Sequence, residues 1–211
     1  MVSRVIYRPF EEGDFPALST IVQSAWHTSS QNDAYNALEA SHDLAHALSI
    51  SSFSQVVLVD GSPRGIVLAR VDGDPIDQLA IWRAREGEIL EQMRSVDDAA
   101  TGSYLSFLKN EERINRRLLA QSGFGWASQV TLLAVDPSTR GMGIGSILLD
   151  AATSHASARG AQGAYLYTDT DCSWKFYERR GLRRAASYRA TREERKVLPR
   201  EMYLYGLDLS A

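Results

Sequence analysis

V-T-L-L-A-V-D-P-S-T-R-G-M-G-I-G-S-I-L-L-D-A-A, residues 130–152, packs three structural signals into one short run. Its opening residues are almost continuously apolar, as in a strand buried on both faces. Asp136-Pro137 starts a turn. Arg140 follows, then glycines at alternate positions, Gly141, Gly143 and Gly145, and then a segment with helical spacing. A strand, a glycine-rich bend and a helix start in this order make an anion site, because backbone N–H groups and a helix N-terminus together favour negative charge.

Working outward, the strand extends back to Trp126 as W-A-S-Q-V-T-L-L-A-V, and the helix begins near Gly145 with Ile147, Leu148, Ala151, Ala152 and His155 on one stripe. G-A-Y-L-Y-T-D-T-D (163–171) reads as the next strand, and S-W-K-F-Y-E-R-R-G-L (173–182) as a short helix ended by Gly181. R-A-A-S-Y-R-A and E-M-Y-L-Y-G-L-D-L close the chain as two strands. Towards the N-terminus, a first strand is expected over Val5–Arg8. A helix capped by Asp14 follows, with Leu18, Ile21, Val22 and Ala25 on its inner face. A second helix spans about 33–50, with Tyr35, Leu38, His42 and Ala45 aligned. S-Q-V-V-L-V-D-G and P-R-G-I-V-L-A-R-V-D-G then read as a hairpin turning at Gly61-Ser62-Pro63. Alternation of strands and helices in one half and hairpins in the other indicates an α/β fold with a mixed sheet.

Residues 74–125 break this rhythm. Ile81, Ile89, Leu90 and Met93 suggest one helix, and Tyr104, Phe107, Leu108, Ile114 and Leu118 another, parted at Thr101-Gly102. The segment reads as a helical insertion that closes a pocket, forms a dimer surface or caps the core.

The whole chain, 211 residues with 44% hydrophobic and 23% charged positions, suits a single globular domain over 1–211. No segment approaches the roughly 18 apolar residues of a membrane span, the N-terminus lacks a leader's apolar core, and the one cysteine excludes an internal disulfide. A soluble, cytoplasmic protein is expected. Net charge is −3, yet nine cations against two carboxylates put +7 on residues 179–200 and leave −10 elsewhere. With a pI near 5.8, nucleic acid is not expected as the main partner, and no metal is expected.

The chain resembles the GNAT superfamily of acyl-CoA-dependent N-acetyltransferases. Arg140, Gly143 and Gly145 fill the cofactor signature of Arg or Gln, two residues, Gly, one residue, Gly or Ala, and K-F-Y-E-R-R-G-L (175–182) resembles the family's aromatic-Tyr segment after the following strand. The resemblance implies a mixed, mostly antiparallel sheet of about seven strands flanked by helices, here with an insertion between the third and fourth strands. It implies acetyl-CoA as cofactor, with the pyrophosphate on backbone amides of Gly141, Met142, Gly143, Ile144, Gly145 and Ser146 near Arg140. The pantetheine arm would pair with Leu133, Ala134 and Val135 of the splayed central strand.

The implied chemistry is direct transfer to a primary amine, which at pKa near 10.4 must first lose a proton. Tyr177 stands where relatives place the general acid for the leaving thiolate. The usual glutamate base of the central strand is absent, since W-A-S-Q-V-T-L-L has no carboxylate; the candidates are Asp169 at the end of the next strand, direct or through water, and His27. Trp26 and His27 end the first helix, where the family's acceptor pocket is lined. His42, His46 and His155 fit packed or surface roles. Many relatives contact pantetheine through an Asn where this chain has T-D-C-S, so Ser173, or Asp171, is the substitute. Cys172 reads as a small packed side chain. The acceptor is expected to be a small molecule, and a homodimer is compatible with the family. Two other readings remain open: a non-catalytic acyl-CoA-binding or sensor module, and a dinucleotide-binding oxidoreductase, whose third glycine would fall at Leu148.

Overall fold

The computed structural model describes residues 4–76, 78–125 and 127–210. Strands β1 (Val5–Arg8), β2 (Phe53–Val59), β3 (Ser62–Arg70), β4 (Ser128–Val135), β5 (Gly163–Asp169), β6 (Arg183–Arg189) and β7 (Glu201–Asp208) form one sheet in the order β1-β2-β3-β4-β5-β7-β6. Helices α1 (Phe15–Trp26), α2 (Asp33–Ser49), α3 (Leu79–Val96), α4 (Asp98–Ser122), α5 (Ile144–Ala158) and α6 (Lys175–Arg179) flank it. The β1–β2, β2–β3, β5–β7 and β6–β7 pairs are antiparallel, and β4 runs parallel to β5. The expected α/β class and mixed, mostly antiparallel sheet are therefore present. Trp126, read from sequence as the head of the fourth strand, lies outside the described residues.

The chain forms two compact units, Met1–Thr101 with Val130–His155, and Gly102–Gln129 with Ala156–Ala211. In the first, Leu18, Ile21 and Val22 of α1 and Tyr35, Leu44 and Ala45 of α2 are buried. Trp82 of α3 stacks on Phe15 at 5.2 Å and meets Phe10 edge-on at 5.6 Å. In the second, Ile114 and Leu118 of α4 join Tyr165, Leu198, Met202 and Leu204 in one apolar cluster. A Cβ on Gly206 would stand 2.5 Å from the Phe124 ring, so a glycine in β7 lets that ring lie on the strand backbone. The inserted segment thus supplies core residues to both units, α3 to one and most of α4 to the other.

Several local readings are corrected. The β2–β3 turn is Asp60-Gly61, both with positive φ (51° and 84°), while Ser62 and Pro63 already belong to β3. Asp14 does not cap α1 with its side chain; it receives two 2.7 Å hydrogen bonds from Arg8 and one from the Glu11 amide. The break in the insertion falls at Asp97, not at Thr101-Gly102. Asp97 is extended, its Oδ1 accepts from the Ala100 amide and its carbonyl from the Thr101 amide, which starts α4. Gly102 runs inside α4 with nothing near an added Cβ. Ile81 and Ile147 are exposed (63% and 45%), because the buried stripes run instead through Trp82, Ile89 and Met93 and through Ile144, Leu148 and Leu149. Ala25 also faces outward.

Candidate functional site

In the first unit, Asp136 at the end of β4 organises the glycine loop. Its Oδ1 accepts from the Ser138 amide at 2.8 Å, and its carbonyl from the Thr139 amide and hydroxyl at 3.0 and 2.8 Å. Arg64 of β3 donates to Oδ2 at 2.7 Å, while the Arg64 carbonyl takes the Asp136 amide at 2.8 Å. The Ser138 amide, aided by Arg64, holds the Asp136 carboxyl below its usual range. Pro137 then occupies the first position of a single 3-10 turn, Pro137–Thr139.

Gly141 and Gly143 follow with φ of 86° and 71°, and α5 starts at Ile144. Added Cβ atoms at both glycines would meet nothing within 4 Å, so it is the left-handed backbone, and not crowding, that demands glycine. The amides of Gly141, Gly143, Ile144 and Gly145 donate to no acceptor among the described residues, whereas those of Met142 and Ser146 bond the carbonyls of Thr139 and Gly143. Arg140 is exposed and forms no ion pair among the described residues. Free amides, open space and a nearby guanidinium are the donor set that a pyrophosphate needs.

β4 approaches β3 closely here: a Cβ on Gly65 would lie 2.9 Å from the Ala134 carbonyl oxygen. The parallel β4–β5 ladder consists of Ser128↔Ala164 and Gln129↔Tyr165. Leu133, Ala134 and Val135 lie beyond its end.

At the end of α1, Trp26 is 40% exposed. His27 is held between two carboxylates of α2, with Nδ1 3.4 Å from Glu39 and Nε2 3.2 Å from Asp43. Desolvation opposes the charged form, but the hydrogen bonds to Asp43 and Glu39 outweigh it and raise the pKa to about 9. His27 is an imidazolium at neutral pH and so has no lone pair for base catalysis in this arrangement. Farther along α2, buried His42 and exposed His46 both face Glu86 of α3, at 3.8 and 3.1 Å, beside a cleft of about 430 Å³ that Arg83 and Leu90 also line. His155 stacks on Phe53 at 4.4 Å and bonds Asp74 at 2.9 Å. These three histidines are packed or surface residues.

In the second unit, Asp169 ends β5 and its Oδ1 accepts from the amides of Asp171 and Cys172 at 2.7 and 3.1 Å. This closes the turn that leads to α6. Burial raises the Asp169 carboxyl above its usual range, and the two amides offset this only in part. Asp171 and Ser173 are exposed, and Cys172 is a partly exposed thiol outside any disulfide.

Tyr177 lies on α6, with its ring 5.3 Å from Phe176 and 6.1 Å from Tyr205. The residue as a whole is half-buried. Burial of the phenol, with smaller contributions from Cys172 and Asp169, pushes its pKa well up. It is therefore protonated throughout the physiological range, as an acid must be. Sequence reasoning missed the carboxylates of Glu39 and Asp43 and the group Glu178, Arg184 and Tyr205 around α6.

The family model described as Acetyltransferase (GNAT) family matches residues 18–182. Among similar solved structures is the ribosomal-protein-S18-alanine N-acetyltransferase from Escherichia coli, with TM-score 0.57 and 14% identity over 99% of this chain and 96% of that one. The polyamine N-acetyltransferase of Drosophila melanogaster, described as forming N-acetylagmatine, aligns with TM-score 0.58 and 16% identity over 97% of this chain and 100% of its own. yncA of Salmonella typhimurium, solved with its cofactor acetyl-CoA, gives 0.52 and 13% over 97% and 94%. A sequence search of curated proteins gave no match.

Proposed function

Because the chain belongs to the GNAT acetyltransferase family, we propose that it transfers the acetyl group of acetyl-CoA to the primary amine of a small-molecule acceptor by direct transfer in a ternary complex. The observation that carries this reading is the loop after Asp136, where two left-handed glycines leave four amides and the start of α5 open to an anion. Both compact units belong to one acetyltransferase domain over 1–211, with 74–125 inserted in it.

When bound, acetyl-CoA supplies a thioester carbonyl to a neutral amine and a sulfur that leaves with the bonding pair. The chain's own residues do the rest. The open amides of Gly141, Gly143, Ile144 and Gly145, with Arg140, hold the pyrophosphate, whereas those of Met142 and Ser146, also expected in this role, are taken by the Thr139 and Gly143 carbonyls. Leu133, Ala134 and Val135 pair with the pantetheine arm, helped by Ser173. Tyr177 donates its phenolic proton to the departing sulfur. Asp169 takes a proton from the amine, directly or through water; its burial brings its pKa closer to the working pH than that of a solvated carboxylate. Trp26 lines the acceptor side, and His27 holds Glu39 and Asp43 beside it, an acidic lining that suits a cationic amine.

Thermal stability with acetyl-CoA, CoA and NAD is the first test. A ligand bound only by the folded chain adds about 2.7 kcal/mol at a hundredfold excess over Kd. Stabilisation by both CoA forms but not NAD is expected, and none with acetyl-CoA would overturn the reading. An amine panel comes next, with agmatine and a peptide bearing N-terminal alanine as its two poles. CoA binding without acetylation of any amine would favour the sensor module, to which the carboxylate-free β4 lends some weight. Tyr177→Phe is expected to lower kcat by roughly 10²–10⁴-fold and to leave the KM for acetyl-CoA nearly unchanged.

A further inference from the structure

The Tyr177 helix is too short to hold itself in place. α6 has five residues, no buried one among them, and no side chain capping its N-terminus. A helix of this length is not stable by itself in water. Its C-terminal end is fixed by Gly181 (φ 83°), where the Gly181 amide bonds the Glu178 carbonyl and the Leu182 amide the Tyr177 carbonyl, both at 3.0 Å. At the other end the Phe176 and Tyr177 amides bond the Ser173 and Trp174 carbonyls, so these backbone bonds all stay within residues 173–182.

A side-chain clamp ties the helix to the sheet. Arg184 of β6 donates through Nε to the Tyr205 hydroxyl at 2.9 Å and through Nη2 to Glu178 Oε1 at 3.1 Å. The Tyr205 hydroxyl in turn donates to the same Glu178 oxygen at 2.8 Å, closing a three-membered ring of hydrogen bonds. The guanidinium also lies over the rings of Tyr203, Trp174 and Tyr205, at 4.1, 4.9 and 5.5 Å. Trp174 precedes α6 and Glu178 lies within it, so one cation grips the helix at both ends of its only full turn, and β7 backs the grip through Tyr203 and Tyr205.

We propose that Arg184 is a positioning residue for the transfer reaction, which fixes the Tyr177 hydroxyl by locking Glu178 and Trp174 onto Tyr205 and Tyr203. The inference rests on the reading of Tyr177 as the general acid. Arg184 acts only through that side chain. A planar fork is needed, because a lysine ammonium cannot bond Glu178 and Tyr205 while stacking flat on Tyr203.

Two measurements test it. In hydrogen exchange of the protein without ligand, Arg184→Gln should accelerate the amides of Arg180, Gly181 and Leu182 by about 10-fold while Leu204 of β7 stays within about twofold. In a double-mutant cycle, CoA release from acetyl-CoA is followed with agmatine as the amine and with water alone. Arg184→Gln should lower the rate by about 10-fold to 100-fold when Tyr177 is present and by less than about twofold in the Tyr177→Phe background. Arg184→Lys should fall between, and Glu178→Gln, which keeps the accepting oxygen, should stay near the native rate. Glu178→Ala replaces Arg184→Gln if the latter does not fold.

Unchanged exchange at Arg180 to Leu182 would overturn the clamp. An equal loss in both backgrounds would overturn the positioning role and leave Tyr177 as the acid. No loss on Tyr177→Phe alone would overturn the general-acid reading and, with it, the role given to Arg184.

Discussion

Nε2 of His27 stands 3.2 Å from Oδ2 of Asp43, and this contact joins the end of α1 to the middle of α2. Because the His27 pKa is raised to about 9, its contribution to stability is fully present below the unfolded value near 6.5 and is lost as pH rises through about 9. The amount is on the order of 3–4 kcal/mol. Asp43→Asn should therefore destabilise the protein clearly at about pH 6 and much less at about pH 10. Urea unfolding at both pH values checks this, and an equal penalty at both would remove the ion pair from the account.

Gly143→Ala should cost about 1–2 kcal/mol, because its φ of 71° is strained for any residue with a Cβ. Asparagine tolerates that region better, so Gly143→Asn should lose less. For a chain of this size each kcal/mol corresponds to about 2–4 °C in Tm. Both variants should also show a smaller acetyl-CoA-dependent rise in Tm than the native protein.

Asp136→Ala removes the cap on the Ser138 amide and the partner of Arg64. A loss of about 0.5–2 kcal/mol is expected, and Asp136→Asn, which keeps an accepting oxygen, should lose less. The carboxyl is held below its usual pKa, so its stabilisation is present above about 3.8 and fades as the pH falls below that. Thermal unfolding of the native protein and of both variants down that range tests the sign.

Gly65→Ala sets a Cβ 2.9 Å from the Ala134 carbonyl, a backbone atom that cannot swing aside. About 1–3 kcal/mol of destabilisation is expected, together with weaker CoA binding as Ala134 shifts. Gly206→Ala is the control: its Cβ meets the Phe124 ring, remote in sequence from the glycine loop, so it should lower Tm without changing CoA affinity. Calorimetric titration of both variants with CoA separates the two effects.

The glycine loop was legible in the sequence because everything that shapes it is local. Asp136-Pro137 starts the turn and Gly141 and Gly143 supply the left-handed bends, all within one short run. The strands and helices followed from periodicity for the same reason. The break between α3 and α4 was misread because Thr101-Gly102 resembles a stop, while the cap at Asp97 hides in the acidic pair Asp97-Asp98. Deleting 74–125 would accordingly remove Trp82, Met93, Ile114 and Leu118 from the two cores, so deletion cannot report on a lid. Carboxylates that fix His27 come from 12 and 16 residues away, and the Tyr205 that completes the Arg184 ring from 21. No spacing rule reaches such contacts.

Cys172 sits in the turn closed by Asp169 and is the chain's one thiol. A maleimide dye or a nitroxide therefore attaches at a single position without any prior mutation, a few residues from Tyr177. Its mobility, read by fluorescence anisotropy or by electron paramagnetic resonance, would follow the lead-in to α6 as amines and thioesters are added. The native protein thus carries a built-in reporter for that turn.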